Sequence, residues 1–140
     1  VTNLLNRVRQ PFNVNSLALA AATAAVGDTA FLENSRALNL AGMHQLEAGL
    51  RQLWLDWIPS RANFLCVRVK QDGMGIYQKL LQKGVIVRPV NNYGLPEFIR
   101  VSIGLPEENQ RFLQTLAEVL GLTPAVADAS GAQAADRVTG

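Results

Sequence analysis

Apolar and polar positions along this chain follow two different periods. Apolar residues spaced three and four apart predict five helices, at residues 1–8, 17–26, 29–54, 76–84 and 106–120. Alternation of apolar and polar residues predicts three strands, at residues 64–69, 85–90 and 98–104. Helices therefore precede a β-α-β-β-α unit, and this order predicts an α+β (α/β) fold with a mainly antiparallel sheet.

Local signals mark the ends of several elements. Asn15 or Ser16 can cap the helix at residues 17–26, and Gly27 is predicted to end it in the left-handed conformation. This helix is apolar almost all round and rich in alanine, so we expect it to be packed on most of its sides. Residues 72–75 are predicted to form a turn before the next helix.

The last two predicted strands each contain an arginine, Arg88 and Arg100. Alternation assigns the core face to Val85, Val87, Ile99, Val101 and Ile103. The opposite face receives Ile86, Arg88, Val90, Phe98, Arg100 and Ser102. The two arginines should therefore emerge together, although neighbouring guanidinium groups repel each other. Two interpretations stay open: ordinary pairing with surface carboxylates, or a site for a carboxylate or phosphate, which the planar guanidinium binds through parallel hydrogen bonds.

Composition narrows the classes of function. A hydrophobic content of 49% and a formal charge of +2 indicate a globular domain without the basic surface that nucleic acid or an anionic membrane attracts. No apolar run reaches the roughly 18 residues of a membrane span. The single histidine, His44, and the single cysteine, Cys66, cannot assemble a zinc site. Cys66 is expected to be a buried apolar residue, typical of a reducing, cytoplasmic compartment.

Three separated stretches resemble one known family. VIVRPVNNYGLPEFIRVSIGLPEEN, at residues 85–109, looks like the C-terminal region of histidinol-phosphate aminotransferases. RQPFNVNSLA, at residues 9–18, resembles the inter-domain segment of that family, and WIPSRANFLCVR, at residues 57–68, resembles its first small-domain strand. The stretches occur in the family's order, and the resemblance covers about residues 7–120.

The resemblance implies the aspartate-aminotransferase fold (fold type I), with this chain as its C-terminal part. It implies a linker and long helices at residues 1–57, the small C-terminal α/β domain at residues 58–121, and a flexible tail at residues 122–140. The family holds pyridoxal 5'-phosphate mainly in a large domain, on a lysine in a serine- and glycine-rich context. The three lysines here, Lys70, Lys79 and Lys83, lack that context. We therefore expect a fragment, also suggested by a start at Val1, that is inactive alone and supplies no catalytic or cofactor-binding residue.

The resemblance also implies which residues would bind substrate. Arg100 matches the small-domain arginine that binds the substrate carboxylate across this fold, and Arg88 is the matching second arginine for a phosphate. Asn13 would contact the neighbouring subunit's site in a homodimer, and Tyr93, between the two strands, could close over substrate. The implied small-molecule substrates are histidinol phosphate and glutamate or 2-oxoglutarate, in histidine biosynthesis.

Two alternatives remain beside this interpretation. The corresponding part of a phosphothreonine decarboxylase would use the same arginines for its phosphate, although the short connection between Arg88 and Arg100 favours the aminotransferase. A free-standing ferredoxin-like regulatory domain that binds a ligand would need a fourth strand after Gly121. Residues 122–128 contain Pro124 and lack strand alternation, which argues against that domain.

Overall fold

The computed structural model describes residues 2–8 and 14–123. Its helices are α1 (Thr2–Val8), α2 (Ser16–Val26), α3 (Thr29–Gln52), α4 (Gly73–Gln82) and α5 (Pro106–Leu120). Its strands are β1 (Asp56–Ile58), β2 (Phe64–Arg68), β3 (Arg88–Pro89) and β4 (Phe98–Ser102), with a short 3-10 turn at Asn91–Tyr93. The predicted combination of helices and a small antiparallel sheet is confirmed.

Strand β1 is an element that the sequence did not predict. Its three residues are too few to display a recognisable alternation, and Pro59 follows immediately. Only its central residue, Trp57, is partly buried, between exposed Asp56 and Ile58. The second half of the chain is therefore β-β-α-β-β-α, with its additional strand before β2.

Contacts divide the chain into two compact units, and the division falls within α3, between Ala37 and Leu38. In the first unit, the Ala18 backbone N–H donates to Oδ1 of Asn15 at 2.8 Å, so the prediction that Asn15 caps α2 is confirmed. No residue of α2 is buried, and the prediction that this helix is packed on most sides is wrong for the described chain. The other helices of the first unit therefore do not cover the apolar surface of α2.

Gly27 does not adopt the predicted left-handed conformation. Its φ of −82° and ψ of −11° lie in the right-handed region. The reason is that the last turn of α2 continues through Gly27: the Gly27 N–H donates to the Ala24 carbonyl and the Asp28 N–H to the Ala25 carbonyl, both at 3.2 Å. Asp28 then caps α3 by accepting from the Phe31 N–H at 3.0 Å.

The sheet of the second unit has the strand order β1-β2-β4-β3, and every neighbouring pair is antiparallel. Residues that lie directly opposite each other on neighbouring strands share a face. The inner face carries the buried residues Leu65, Val67, Ile99 and Val101. Helices α3, α4 and α5 complete the core with Leu46, Leu50, Ile76, Leu80, Phe112 and Leu116. The opposite, outer face of the sheet therefore holds the side chains that the core does not use.

Two glycines allow elements of the core to approach closely. A Cβ atom on Gly73 would lie 2.7 Å from the Phe98 carbonyl oxygen, so α4 begins directly against the start of β4. A Cβ atom on Gly49 would overlap the side chain of Leu113, which sets the separation between α3 and α5. A larger residue at Gly73 would meet the backbone of β4 and push α4 away from it, whereas one at Gly49 would displace the Leu113 side chain.

Two further sequence predictions are corrected. Residues 72–75 are not a turn: Asp72 caps α4 by accepting from the Gly75 N–H at 2.8 Å, and the helix begins at Gly73. Only Arg88–Pro89 of the strand predicted at residues 85–90 pairs in the sheet. Val90 is buried rather than on the arginine face, because the chain leaves the sheet there and enters the 3-10 turn.

Candidate anion-binding site

The register of the sheet places Arg88 directly opposite Arg100 across the β3–β4 pair. The prediction that the two arginines emerge on the same side is therefore confirmed. Arg100 is flanked in sequence by Ile99 and Val101, which are buried in the core, so its own side chain belongs to the outer face. Cβ atoms in such a pair lie about 4.5–5.5 Å apart, so the two arginine side chains start from neighbouring positions on the outer face.

Within residues 2–8 and 14–123, neither arginine of this pair has a carboxylate partner. The ion pairs among the described residues join Arg51 to Glu47, Arg68 to Glu97, Lys70 to Asp56 and Lys83 to Glu118. Arg88 is exposed and Arg100 is half-buried, so both can meet a solute. Two like charges directly opposite each other destabilise a sheet, and an arriving anion would remove that repulsion.

Arg100 has one specific neighbour on its own face. The guanidinium carbon of Arg100 lies over the ring of Phe64, 4.9 Å from the ring centroid. Phe64 is half-buried and belongs to β2, where its direct partner on β4 is Ser102. It therefore contacts Arg100 diagonally across the pair of strands. Arg88 has no such aromatic contact among the described residues.

The contact between Phe64 and Arg100 was not predicted from the sequence. Alternation indicates only that Phe64 and Cys66 share a face of their strand. Which residues of β4 lie beside them depends on the register between two segments that are more than 30 residues apart. An aromatic residue in a strand next to an arginine strand is the only sequence signal that could have suggested the contact.

Cys66 is the direct partner of Arg100 across the β2–β4 pair. It is half-buried rather than fully buried as the sequence predicts, because it lies on the outer face of the sheet. Partial burial raises the pKa of its thiol by disfavouring the thiolate, and the positive charge of Arg100 acts in the opposite direction with a smaller effect. The thiol therefore stays protonated at neutral pH and adds no negative charge beside the arginines.

The end of β4 is fixed by a buried amide. Asn109, at the start of α5, accepts from the Gly104 N–H at 3.0 Å and donates to the Gly104 carbonyl at 3.1 Å. The same amide nitrogen donates to Oε1 of Gln45 on α3 at 3.1 Å. These bonds hold the residues that follow β4 against two helices. Arg100 is thus carried by a strand whose end is anchored in the core.

The other predicted site residues have different outcomes. Tyr93 ends the 3-10 turn between β3 and β4 and is 63% exposed, so it is accessible in the connection where the sequence predicts it. Asn13 lies outside the described residues, as does the rest of the segment at residues 9–12. Residues 124–140 of the predicted tail also lie outside the described part.

The lysines do not resemble a site for an imine-bound cofactor. All three are exposed. Lys83 forms an ion pair with Glu118 at 2.7 Å, and Lys70 donates to the Trp54 carbonyl at 3.0 Å with Asp56 nearby at 3.9 Å. An imine-forming lysine needs burial or a neighbouring positive charge to become nucleophilic. A lysine held by a carboxylate in water has neither.

Within residues 2–8 and 14–123, no group of three or more histidine, cysteine, aspartate or glutamate side chains is arranged to hold a metal ion. None of the helices in the same ranges is long and apolar enough to cross a membrane.

Comparisons with known proteins agree with this fold. The family described as Aminotransferase class I and II matches residues 1–116. Histidinol-phosphate aminotransferase 2 of Pseudomonas fluorescens (strain Pf0-1) is 62% identical over 120 residues, which are 86% of this chain and 32% of that protein. This chain thus spans about a third of the length of the curated relatives that it matches.

Solved structures of similar proteins have a similar fold over the part that matches this chain. The histidinol-phosphate aminotransferase of Clostridium acetobutylicum has a TM-score of 0.71 and 25% identity, over 84% of this chain and 36% of that one. The histidinol-phosphate aminotransferase of Sinorhizobium meliloti, solved in complex with pyridoxal-5'-phosphate, also has a TM-score of 0.71. Its identity is 23%, over 85% of this chain and 34% of that one, so this likeness concerns the fold.

Proposed function

Because this chain belongs to the class I and II aminotransferases, we propose that it is the C-terminal, substrate-binding part of a longer histidinol-phosphate aminotransferase. In that enzyme, here called the intact transaminase, it supplies the anion-binding arginines for histidinol phosphate and for glutamate or 2-oxoglutarate. The reaction belongs to histidine biosynthesis in the cytoplasm. The high identity to histidinol-phosphate aminotransferases from several bacteria supports this choice of substrate.

The observation that carries the proposal is the direct pairing of Arg88 with Arg100, with no carboxylate partner for either within the described chain. A phosphate monoester carries close to two negative charges at neutral pH and three acceptor oxygens, so it can engage two guanidinium groups at once. A carboxylate carries one charge and is satisfied by one bidentate arginine. A pair of arginines therefore suits an enzyme that binds a phosphate ester and an amino acid in turn.

The two arginines have different tasks in this proposal. Arg100, half-buried and in contact with Phe64, binds the anionic end of both substrates. Arg88, which is exposed on the short strand β3, adds its charge when the anion is a phosphate. Both interactions orient the substrate, so that its amino group faces the reacting centre in the remaining part of the intact transaminase.

Pyridoxal 5'-phosphate, when bound, supplies the electron sink for transfer of the amino group. The exposed lysines of this chain do not fit the covalent attachment of that cofactor. We therefore propose that the large domain of the intact transaminase binds it and that this chain alone is inactive. No step of the chemistry is assigned to residues of this chain beyond the binding and orientation of substrate.

Further parts of the proposal follow the family. The intact transaminase is a homodimer, in which Asn13 reaches the neighbouring subunit's site and Tyr93 approaches bound substrate. The linker and long helices comprise residues 1–57, the small domain residues 58–121 and the tail residues 122–140. Activity towards phosphothreonine, measured as release of carbon dioxide, would identify the decarboxylase instead.

Separate substitution of the two arginines tests the proposal in the intact transaminase. Charge-assisted hydrogen bonds contribute about 1.5–3 kcal/mol each, so Arg100→Ala should lower kcat/KM by about 10- to 150-fold for histidinol phosphate and glutamate alike. Arg88→Ala should lower kcat/KM for histidinol phosphate by about tenfold and leave glutamate nearly unchanged. Each half-reaction is followed separately by rapid mixing.

Arg68→Ala is the matched control for these variants. Arg68 lies on the same face of the sheet but is already held by Glu97, so its loss should leave both kcat/KM values unchanged. Wild-type kinetics for Arg100→Ala, or equal effects of all three variants, would contradict the proposed function.

A further inference from the structure

The contact between Phe64 and Arg100 gives the two paired arginines unequal freedom. An arginine side chain has many rotamers, and it binds an anion well only in the few that direct its N–H groups at that anion. The guanidinium of Arg100 lies over an aromatic ring, with its carbon 4.9 Å from the centroid. Attraction between the positive charge and the ring face favours those rotamers that keep the guanidinium above the ring.

The ring itself is held in place by the sheet. Phe64 begins β2, whose five residues all pair with β4. Beside it, the Ile103 N–H donates to the Asn63 carbonyl at 2.9 Å and extends the pairing beyond the strand ends. Phe64 is also half-buried, so backbone pairing and partial burial both limit its movement. A support of this kind can restrict the guanidinium more than a mobile surface residue could.

We propose that Phe64 is a positioning residue that orients Arg100 for anion binding. The inference rests on the proposed function and adds a selective consequence to it. Since Arg100 serves both substrates, loss of the aromatic ring weakens histidinol phosphate and glutamate to the same degree. Arg88, which has no aromatic support within the described residues, is the adjustable member of the pair, and its effect is confined to the phosphate ester.

A positioning role can be separated from a purely structural one by comparing aromatic with aliphatic replacements. In the intact transaminase, Phe64→Leu should raise the KM of both substrates about three- to tenfold, in keeping with the strength of a partly exposed cation–π contact, while kcat stays close to wild type. Phe64→Tyr keeps a ring face and should restore the wild-type KM. Phe64→Met offers a second aliphatic variant if Phe64→Leu fails to fold.

Phe98→Leu is the matched control. Phe98 is a half-buried aromatic residue on the same face of β4, and its direct partner is Arg68 rather than Arg100. It should lower the thermal unfolding midpoint about as much as Phe64→Leu but leave both KM values unchanged. Equal rises in KM for Phe98→Leu and Phe64→Leu would mean that any loss of packing on this face has the same effect, and would overturn the inference.

The decisive measurement combines the two side chains. In an Arg100→Ala background, Phe64→Leu should cause no further rise in KM, because its effect passes through the guanidinium. The inhibition constant of inorganic phosphate, as a competitor of histidinol phosphate, should follow the same pattern. If Arg100→Ala impairs binding but Phe64→Leu does not, only the positioning role is wrong. If Arg100→Ala has no effect, the proposed function itself fails.

Discussion

Arg68 and the pair formed by Arg88 and Arg100 lie on one face of the sheet but have opposite electrostatic surroundings. Arg68 donates through Nε and Nη2 to Oε2 of Glu97, at 3.0 and 2.8 Å, so its charge is matched within the chain. Arg88 and Arg100 lie opposite each other on the same face, and neither forms an ion pair with a described residue. The difference shows that an arginine on a strand is not informative by itself. What distinguishes a candidate site is the pairing of like charges without a counter-charge.

The comparison also separates stability from function. A partly exposed ion pair such as Arg68–Glu97 contributes little to folding, typically below about 1 kcal/mol, and it neutralises the arginine and commits its Nε–H and one Nη2–H to Glu97. The pairing of like charges at Arg88 and Arg100 is unfavourable for folding on its own, and under the proposed function a bound anion would offset this cost. Locally unfavourable interactions of this kind are expected at binding sites.

The largest effect should come from giving Arg100 a carboxylate partner like the one that Arg68 has. Cys66 lies directly opposite Arg100, so Cys66→Glu would supply the carboxylate that Glu97 supplies to Arg68. We expect the KM of both substrates to rise about 10- to 100-fold in the intact transaminase, as charge-assisted bonds to Arg100 become occupied. Cys66→Gln, which has nearly the same shape without the charge, should change KM less than about threefold. Equal KM values for the two variants would show that Arg100 does not bind the substrate anion.

A smaller effect is expected when Arg68 loses its carboxylate partner, Glu97. Glu97→Gln should lower the free energy of unfolding by no more than about 1 kcal/mol, because both partners are about half exposed. Substrate kinetics should stay within about twofold of wild type, since a single unpaired arginine without a second one does not reproduce the site. The change is measured by urea unfolding and steady-state kinetics, and a tenfold loss of activity would place Arg68 in the site.

The smallest effect concerns the thiol beside the pair. Burial raises the pKa of Cys66, and the charge of Arg100 partly offsets that rise, so Arg100→Gln should raise this pKa further. Alkylation by iodoacetamide, which requires the thiolate, should then need a higher pH in the variant than in the wild-type chain. Glu97→Gln is the control, and an unchanged or lower alkylation pKa in Arg100→Gln would contradict the proximity of the two groups.

The raised pKa of Cys66 also fixes the sign of a stability effect. The folded chain keeps the thiol proton at a pH at which the unfolded chain has begun to lose it. The contribution of this group to stability is therefore complete below the unfolded pKa and is lost as pH rises through the folded value.

Periodicity predicted the parts of the fold that depend on local sequence. The buried positions Ile99 and Val101 and the outward direction of Arg100 follow from strict alternation in β4. Elements too short for a period were missed or lengthened, such as the three-residue β1 and the two-residue β3. The prediction of a left-handed Gly27 was wrong because the last turn of α2 continues through this residue with hydrogen bonds that the sequence does not reveal.

The candidate site was predictable to a similar extent. Alternation predicted that Arg88 and Arg100 share a face, and the register confirms it. Their role in binding substrate is implied by the family resemblance and stays a prediction. The contact of Phe64 with Arg100 and the opposition of Cys66 to Arg100 depend on the register between β2 and β4, which no local pattern specifies. The ion pairs could not be predicted from sequence either, since Glu97 could have paired with any of several arginines and pairs with Arg68.

Strand β3 stands at one end of the strand order, so its outer side is a sheet edge in the described part of the chain. An unprotected edge can recruit a strand from another molecule and start aggregation. Both residues of β3 oppose this: Pro89 has no N–H group to offer, and the charge of Arg88 disfavours an approaching apolar strand. The dipeptide that carries one half of the candidate site thus also protects the chain from unwanted sheet growth.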